Sequence, residues 1–339
     1  MTERAPLSSL RNRVRRYVKG SLTGAEVEDF DGLAWALFDH QAERCPVRSP
    51  AHSTDRSGWR HIPGVAVDLF KRMRVGGLPE DETPFVFRTS GTTTGLRGLH
   101  YLTNFDLYDL GSLAWMRACV PNAPEEVVAL LDNPAHHPDS SLSHMVALFP
   151  HGDGRASWHT DRGHLDGVGL QRRLADLTGP AFVATTSFAL DEWLHRAPPP
   201  LLPGSVLMVT GGFKGRRHRL DGPALYAEAR SQLNPARIVT EYGMTELSSQ
   251  LWGTPESAYI LPPWLRCVAV DPQTGAPLQD GARGQLKFVD LCNTDAAVAI
   301  ETLDEGVVHG CDRVTLFGRL AGAPARGCSL NVEEAWEQR

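Results

Sequence analysis

Residues 87 to 95, Phe87-Arg88-Thr89-Ser90-Gly91-Thr92-Thr93-Thr94-Gly95, gather hydroxyls and glycines in a pattern that suits an anion. Gly91 and Gly95 allow left-handed backbone and a close approach of the main chain to a ligand. Thr89, Ser90, Thr92, Thr93 and Thr94 place hydroxyl donors beside backbone N–H groups. No Gly-Lys-Ser/Thr closes the loop, so it is not a Walker loop, and Arg88 and Arg97 supply the nearby positive charge. A second group, Glu241-Tyr242-Gly243-Met244-Thr245-Glu246, joins a ring that can cover a base, a hydroxyl that can bind a phosphate oxygen and a carboxylate that can hold Mg²⁺. Thr302-Leu303-Asp304 and Phe317-Gly318-Arg319 follow, adding a carboxylate and a guanidinium.

The elements that must position these groups read as alternating strands and helices. Phe85-Val86-Phe87 precedes the hydroxyl loop. Val127-Val128-Ala129-Leu130-Leu131 is an all-apolar run of the kind found in a strand covered on both faces of a parallel sheet. Phe182 to Ser187 and Ser205 to Thr210 read likewise, Ala189 to His195 reads as a helix, and Arg237 to Thr240 leads into the Tyr242 group. Thr103 can cap a helix carrying Phe105, Leu107 and Leu110. Ligands of open α/β sheets collect at the carboxyl ends of strands, so the loop from Asp132 to Met145 is a candidate acyl-site wall. From residue 265 the pattern changes to short β segments separated by Gly, Pro and Asp turns.

In this order, the hydroxyl loop, the Tyr242–Glu246 box, the Asp304 region and Arg319 resemble the phosphate loop, YGxTE box, ribose-binding aspartate and hinge arginine of adenylate-forming enzymes. That superfamily includes acyl-CoA synthetases and luciferases. The resemblance implies ATP and Mg²⁺ as cofactors, Glu246 as the metal ligand, and Gly211 and Gly212 as the turn along which adenine lies. It implies Tyr242 and Gly243 beside the base and Thr245 on a phosphate. Asp304 is expected at the ribose, with Asp312 as the alternative because Leu303 replaces the usual glycine. Gln41, Pro46-Val47-Arg48, Ile62-Pro63…Phe70-Lys71 and Ser141-Leu142-Ser143-His144-Met145 are further similar to the LuxE-type acyl-protein synthetases of bacterial bioluminescence operons. His144 is a candidate for the substrate carboxylate, the alternative being a structural histidine at a helix start.

Members of that superfamily carry a mobile C-terminal domain after the hinge arginine, whereas this sequence has twenty residues after Arg319. A missing lid and lid lysine are therefore expected, with Lys214 as the replacement. Arg326-Gly327-Cys328-Ser329-Leu330 resembles the C-terminal region of LuxE-type synthetases, in which a cysteine accepts the acyl group. Asn331 and Glu334 form a near capping box, so Cys328 precedes a helix start and lies two residues from Arg326. Both features favour a thiolate.

The 339 residues suffice for a large core, at 42% hydrophobic and 22% charged, and a formal charge of −6 gives no reason to expect nucleic acid. No apolar run spans a membrane and no secretory signal opens the chain, so a cytoplasmic protein is expected. Six cysteines without a Cys-x-x-Cys pair argue against a zinc site or disulfide framework. The expected fold is α/β, like the N-terminal domain of adenylate-forming enzymes, with parallel sheets and flanking helices. Its expected parts are an N-terminal helical region at 1–84, a nucleotide-binding core at 85–264, a small β subdomain at 265–320 and a tail at 321–339. The expected activity is ATP-dependent activation of a carboxylic acid, a fatty acid by the resemblance, and transfer to a thiol: Cys328, CoA or a carrier protein. The partner implied is an acyl-accepting protein such as a reductase. A non-catalytic nucleotide-fold subunit is the reading from another class.

Overall fold

The apolar run around Val127 is one of four neighbouring parallel strands that carry the site. The computed structural model describes residues 6–42, 55–76, 78–89, 97–211 and 222–320. Glu126–Asp132, Ala181–Thr186, Val206–Thr210 and Arg237–Tyr242 pair in parallel, each with the next. Their residues alternate between two buried faces. Val127, Ala129, Leu131, Phe182, Ala184, Val206 and Met208 share a core with residues of the helices Asp106–Cys119 and Ser141–Ala147. Val128, Leu130, Val183, Leu207 and Val209 share another with residues of Gly167–Ala175, Ser187–Leu194 and Gly222–Leu233. Burial on both faces is why these strands show no polar alternation.

Among the described residues the sheet has 13 strands. Beyond Arg237–Tyr242 it becomes antiparallel, through Leu251–Gly253, Tyr259–Ile260, Arg313–Arg319, Ala299–His309, Arg283–Asp290 and Leu265–Val270 in spatial order. The β segments after residue 265 therefore continue the same sheet, joined by the pairing of Tyr259 with Val314 and Ile260 with Arg313. Phe85–Arg88 and Leu99–Leu102 form a separate antiparallel hairpin whose connection contains the hydroxyl loop. Residues 90–96 of that loop lie outside the described residues.

The N-terminal helix Leu7–Thr23 buries Leu10, Val14, Tyr17 and Val18, the spacing its sequence implies. With Phe30–Ala42 it packs over Trp264, Val268, Val270 and Val289. Part of its basic face is paired, because Arg11 forms an ion pair with Asp295. Gln41 reaches further in. Its Nε2 donates to the carbonyls of Asn293 at 2.8 Å and Thr294 at 3.1 Å, and its Oε1 accepts from the Val298 N–H at 2.7 Å. Thr103 does not cap the following helix: its N–H and hydroxyl both donate to Asp295 Oδ2, and Asn104 Oδ1 accepts the Asp106 N–H at the helix start. No helix among the described residues is long and apolar enough to cross a membrane.

Candidate active site

The four parallel strands end on one side of the sheet in Asp132, Thr186, Thr210 and Glu241 or Tyr242, and a cleft of about 960 Å³ opens over those ends. Thr186 pairs with Thr210 and Thr210 with Glu241, so the floor is fixed by sheet register. Thr89, Gly211, Tyr242, Gly243, Thr245, Glu246, Asp304 and Arg319 all line this single cleft. They come from five places in the sequence more than 200 residues apart at the extremes, from Thr89 to Arg319. Ser90, Gly91, Thr92, Thr93, Thr94, Gly95, Gly212, Lys214 and Cys328 lie outside the described residues.

Each described member is held by identifiable contacts. Thr89 closes the neck of the hydroxyl loop: its N–H donates to the Gly98 carbonyl at 2.9 Å and its Oγ1 accepts the Gly98 N–H at 2.7 Å. Arg88, one residue before, has its Nε 3.5 Å from Asp139 Oδ2. The Thr245 hydroxyl donates to the Arg88 carbonyl at 3.4 Å, which ties the hairpin to the Tyr242–Glu246 segment. From behind, His100 Nδ1 donates to the Thr245 carbonyl at 2.6 Å, and complete burial pulls the His100 pKa below its ordinary value. The histidine is thus favoured in its neutral form.

Tyr242 sits with its hydroxyl donating to Asp304 Oδ2 at 2.8 Å, and Arg319 Nε lies 3.6 Å from Asp304 Oδ1. The Thr302 hydroxyl accepts the Asp304 N–H at 3.0 Å, so the leucine between them leaves the turn intact. Asp312 is exposed and does not line the cleft. Glu246 is fully buried, and Asn293 Nδ2 donates to its carbonyl at 2.8 Å. Asn293 is itself gripped by Gln41 through its own carbonyl, so the N-terminal helices brace the glutamate through one intermediary. Gly211 has φ +89, and a side chain at Gly243 would collide with Glu241 Oε1. Gly211 needs glycine for its backbone, whereas a side chain at Gly243 would displace the Glu241 carboxyl.

Below this segment Asp290 accepts from Ser248 N–H, Ser249 Oγ and Cys292 N–H at 2.8 to 3.0 Å, and burial still lifts its pKa to about 6. Asp290→Ala strands two buried N–H groups and should lower stability by about 2–3 kcal/mol, read from denaturant midpoints. An unchanged midpoint would show that the loop after Glu246 does not depend on this carboxylate.

His144 is not among the residues that line the cleft, although Ser143 and Met145 on either side are. Its Nε2 is 2.7 Å from Asp109 Oδ1, and its ring centroid is 4.2 Å from that of Phe105 and 5.4 Å from that of Phe87. On a short helix, adjacent residues point in different directions, and His144 is turned toward the helix Asp106–Cys119.

The floor holds a residue that the sequence reading passed over. Glu241 is 4% exposed, accepts a hydrogen bond from the Thr210 hydroxyl, and is pushed up to about 7 by burial. Its folded pKa lies above the ordinary 4.5, so the folded chain binds more protons than the unfolded one between those values. Stability therefore falls as pH rises through that window. Glu241→Gln removes that loss, so the variant's denaturation midpoint relative to wild type should rise between about pH 4.5 and about pH 7. A flat difference would mean the carboxyl titrates normally. The signal that could have found Glu241 and Thr210 was their position at strand carboxyl ends, the same signal that pointed to the loop beginning at Asp132.

No protein-family model and no curated protein sequence matches the chain. Solved structures do match its fold. The ATP-bound MatB of Rhodopseudomonas palustris aligns at TM-score 0.52 and 17% identity over 72% of this chain and 49% of its own. A 2-hydroxyisobutyryl-CoA ligase, solved in an open conformation with 2-HIB-AMP and CoA, aligns at TM-score 0.59 and 13% identity over 93% and 75%. A long-chain-fatty-acid–CoA ligase, FadD1 of Archaeoglobus fulgidus, aligns at TM-score 0.51 and 14% identity over 71% and 52%. The chain spans about half the length of MatB and FadD1. At these identities the likeness establishes architecture: the α/β sheet and its flanking helices match the N-terminal-domain fold of adenylate-forming enzymes.

Proposed function

We propose that the cleft binds ATP and a carboxylic acid and joins them as an acyl-adenylate with release of pyrophosphate. The observation that carries this is the meeting of Thr89, Gly211, Tyr242, Thr245, Glu246, Asp304 and Arg319 around one cleft large enough for both reactants. Tyr242 would cover the base, Asp304 would accept from the ribose hydroxyls, and Arg319 would hold that carboxylate in place. The hydroxyl loop, with Thr89 at its neck and Ser90, Thr92, Thr93 and Thr94 beyond, would hold the phosphates together with Thr245. Lys214 is assigned to the acyl carboxylate and α-phosphate on sequence grounds alone.

The described residues contain no group of three or more side chains able to hold a metal by themselves. Glu246 fits Mg²⁺ in the way that ion is usually bound, through one or two carboxylates with substrate phosphates and water completing the shell. Mg²⁺ there would neutralise phosphate charge. The chain's own contribution is to hold the acid carboxylate and α-phosphorus in line and to aim hydroxyl and N–H donors at the phosphate oxygens.

In the second half of the proposed reaction a thiolate attacks the acyl-adenylate carbonyl and AMP leaves. Cys328 is the proposed acceptor, followed by delivery to a partner such as a reductase, which the LuxE-type resemblance supports. The alternative acceptors are CoA and a carrier protein, and the CoA-bound ligase among the similar structures favours keeping CoA in the test. Pyrophosphate release measured across a panel of acids tests the first half: at least one acid should drive release that needs both ATP and Mg²⁺. Silence across a broad panel would favour a non-catalytic nucleotide-fold subunit.

A further inference from the structure

Glu241 and Gln250 meet on the wall of the cleft around Gly243. Glu241 Oε1 lies against the Gly243 Cα position, and Gln250 Cγ lies 3.3 Å from where a Gly243 side chain would begin. Leu251 pairs with Tyr242 across the strands, which sets Gln250 beside this turn. Both residues line the cleft, at 4% and 5% exposure. Gln250 Oε1 has no hydrogen-bond partner among the described residues. A buried amide oxygen left without a donor costs stability, and a carboxylate accepting a single hydroxyl bond retains further capacity to accept. The wall thus presents Gln250 Oε1, without a donor among the described residues, beside Glu241 Oε1. Of the arginines that line the cleft, Arg88 faces Asp139, Arg230 Glu256 and Arg319 Asp304.

We propose that Glu241 and Gln250 select an acid bearing a hydrogen-bond-donating substituent, a hydroxyl or an amine, over an unsubstituted fatty acid or a dicarboxylic acid. This rests on the adenylation reading and specifies its substrate. Thr210, by donating to Glu241 Oε2, fixes the carboxyl rotamer and leaves Oε1 on the Gly243 side. An unsubstituted chain at this point leaves Glu241 Oε1 and Gln250 Oε1 without donors after water is displaced, and a second carboxylate brings only further acceptor oxygens to them.

The test is ATP–pyrophosphate exchange by the full chain with matched acids on linear and aromatic skeletons, each unsubstituted or carrying a hydroxyl, amino or carboxyl group. A hydroxyl or amino acid should exceed its parent in kcat/KM by about tenfold or more, the scale of satisfying one buried acceptor. Glu241→Gln and Gln250→Leu should each bring that ratio toward one while leaving the KM for ATP unchanged. Glu241→Gln should weaken amino acids more than hydroxy acids. Parent and substituted acids agreeing within about twofold would overturn the inference and leave adenylation standing. So would a Glu241→Gln effect that falls on the KM for ATP equally with every acid, because the acceptors would then serve the nucleotide. Exchange with no acid at all would remove the adenylation reading and this one with it.

Discussion

Glu246→Ala is expected to slow acid-dependent ATP–pyrophosphate exchange by on the order of 10² to 10³, the usual cost of removing one preorganised charge-stabilising group. The carboxylate is fully buried at the cleft, its main chain held by Asn293 and its neighbour Thr245 by His100. Among the described residues, the carboxylates Asp290 and Asp304 are already tied to Ser248, Ser249, Tyr242 and Arg319. Glu246→Gln keeps the shape and loses the charge, so it should show nearly the same rate loss with an unchanged denaturation midpoint. High Mg²⁺ should partly rescue both variants if the charge serves the metal. A rate loss below about threefold in both would remove Glu246 from the chemistry.

The second large effect is an all-or-none change in labelling. Wild-type protein incubated with ATP and radiolabelled acid should carry a label that survives denaturation and is released by hydroxylamine, as a thioester is. Cys328→Ser should abolish it while exchange continues at the wild-type rate, because the first half-reaction does not use the thiol. Label persisting in Cys328→Ser would move the acceptor elsewhere. Among the described cysteines, Cys267 and Cys292 are poor candidates, since burial raises both thiols well above the ordinary value, and Cys119 is pushed up to about 12. No stable label, with exchange intact, would instead assign the acyl group to CoA or a carrier protein.

How much of this was legible in advance follows from where each signal lives. Strands buried on both faces announce themselves as apolar runs: Val127–Leu131 falls within an observed strand, and the runs Phe182–Ser187 and Ser205–Thr210 each overshoot theirs by one residue, since Ser187 opens a helix and Ser205 precedes its strand. The 11-residue strand Ala299–His309 did not, because Glu301, Asp304, Glu305 and Gly306 break the alternation and a register shift falls between Glu305 and Gly306. Candidate site residues inside a dense motif, such as Tyr242, Thr245 and Glu246, could be named from the resemblance that motif carries. Groups that act from outside the motif could not. His100 supports Thr245 from 145 positions away, and Gln41 reaches the Asn293 carbonyl across 252. Glu241 stood inside the motif and was still missed, since the residue type alone does not tell a floor carboxylate from a strand-end charge. His144, a chemically suggestive residue in a suggestive stretch, is turned one helix position away from the cleft toward Asp109, the structural alternative that its sequence left open.

The most direct test follows the fate of ATP labelled in its α-phosphate, incubated with the full chain, Mg²⁺ and an active acid in the absence of any added thiol, and quenched within one turnover. The label should appear in an acyl-adenylate and then in AMP, in step with pyrophosphate and dependent on the acid. Label recovered as ADP, or AMP formed at the same rate without acid, would contradict an adenylate-forming cleft.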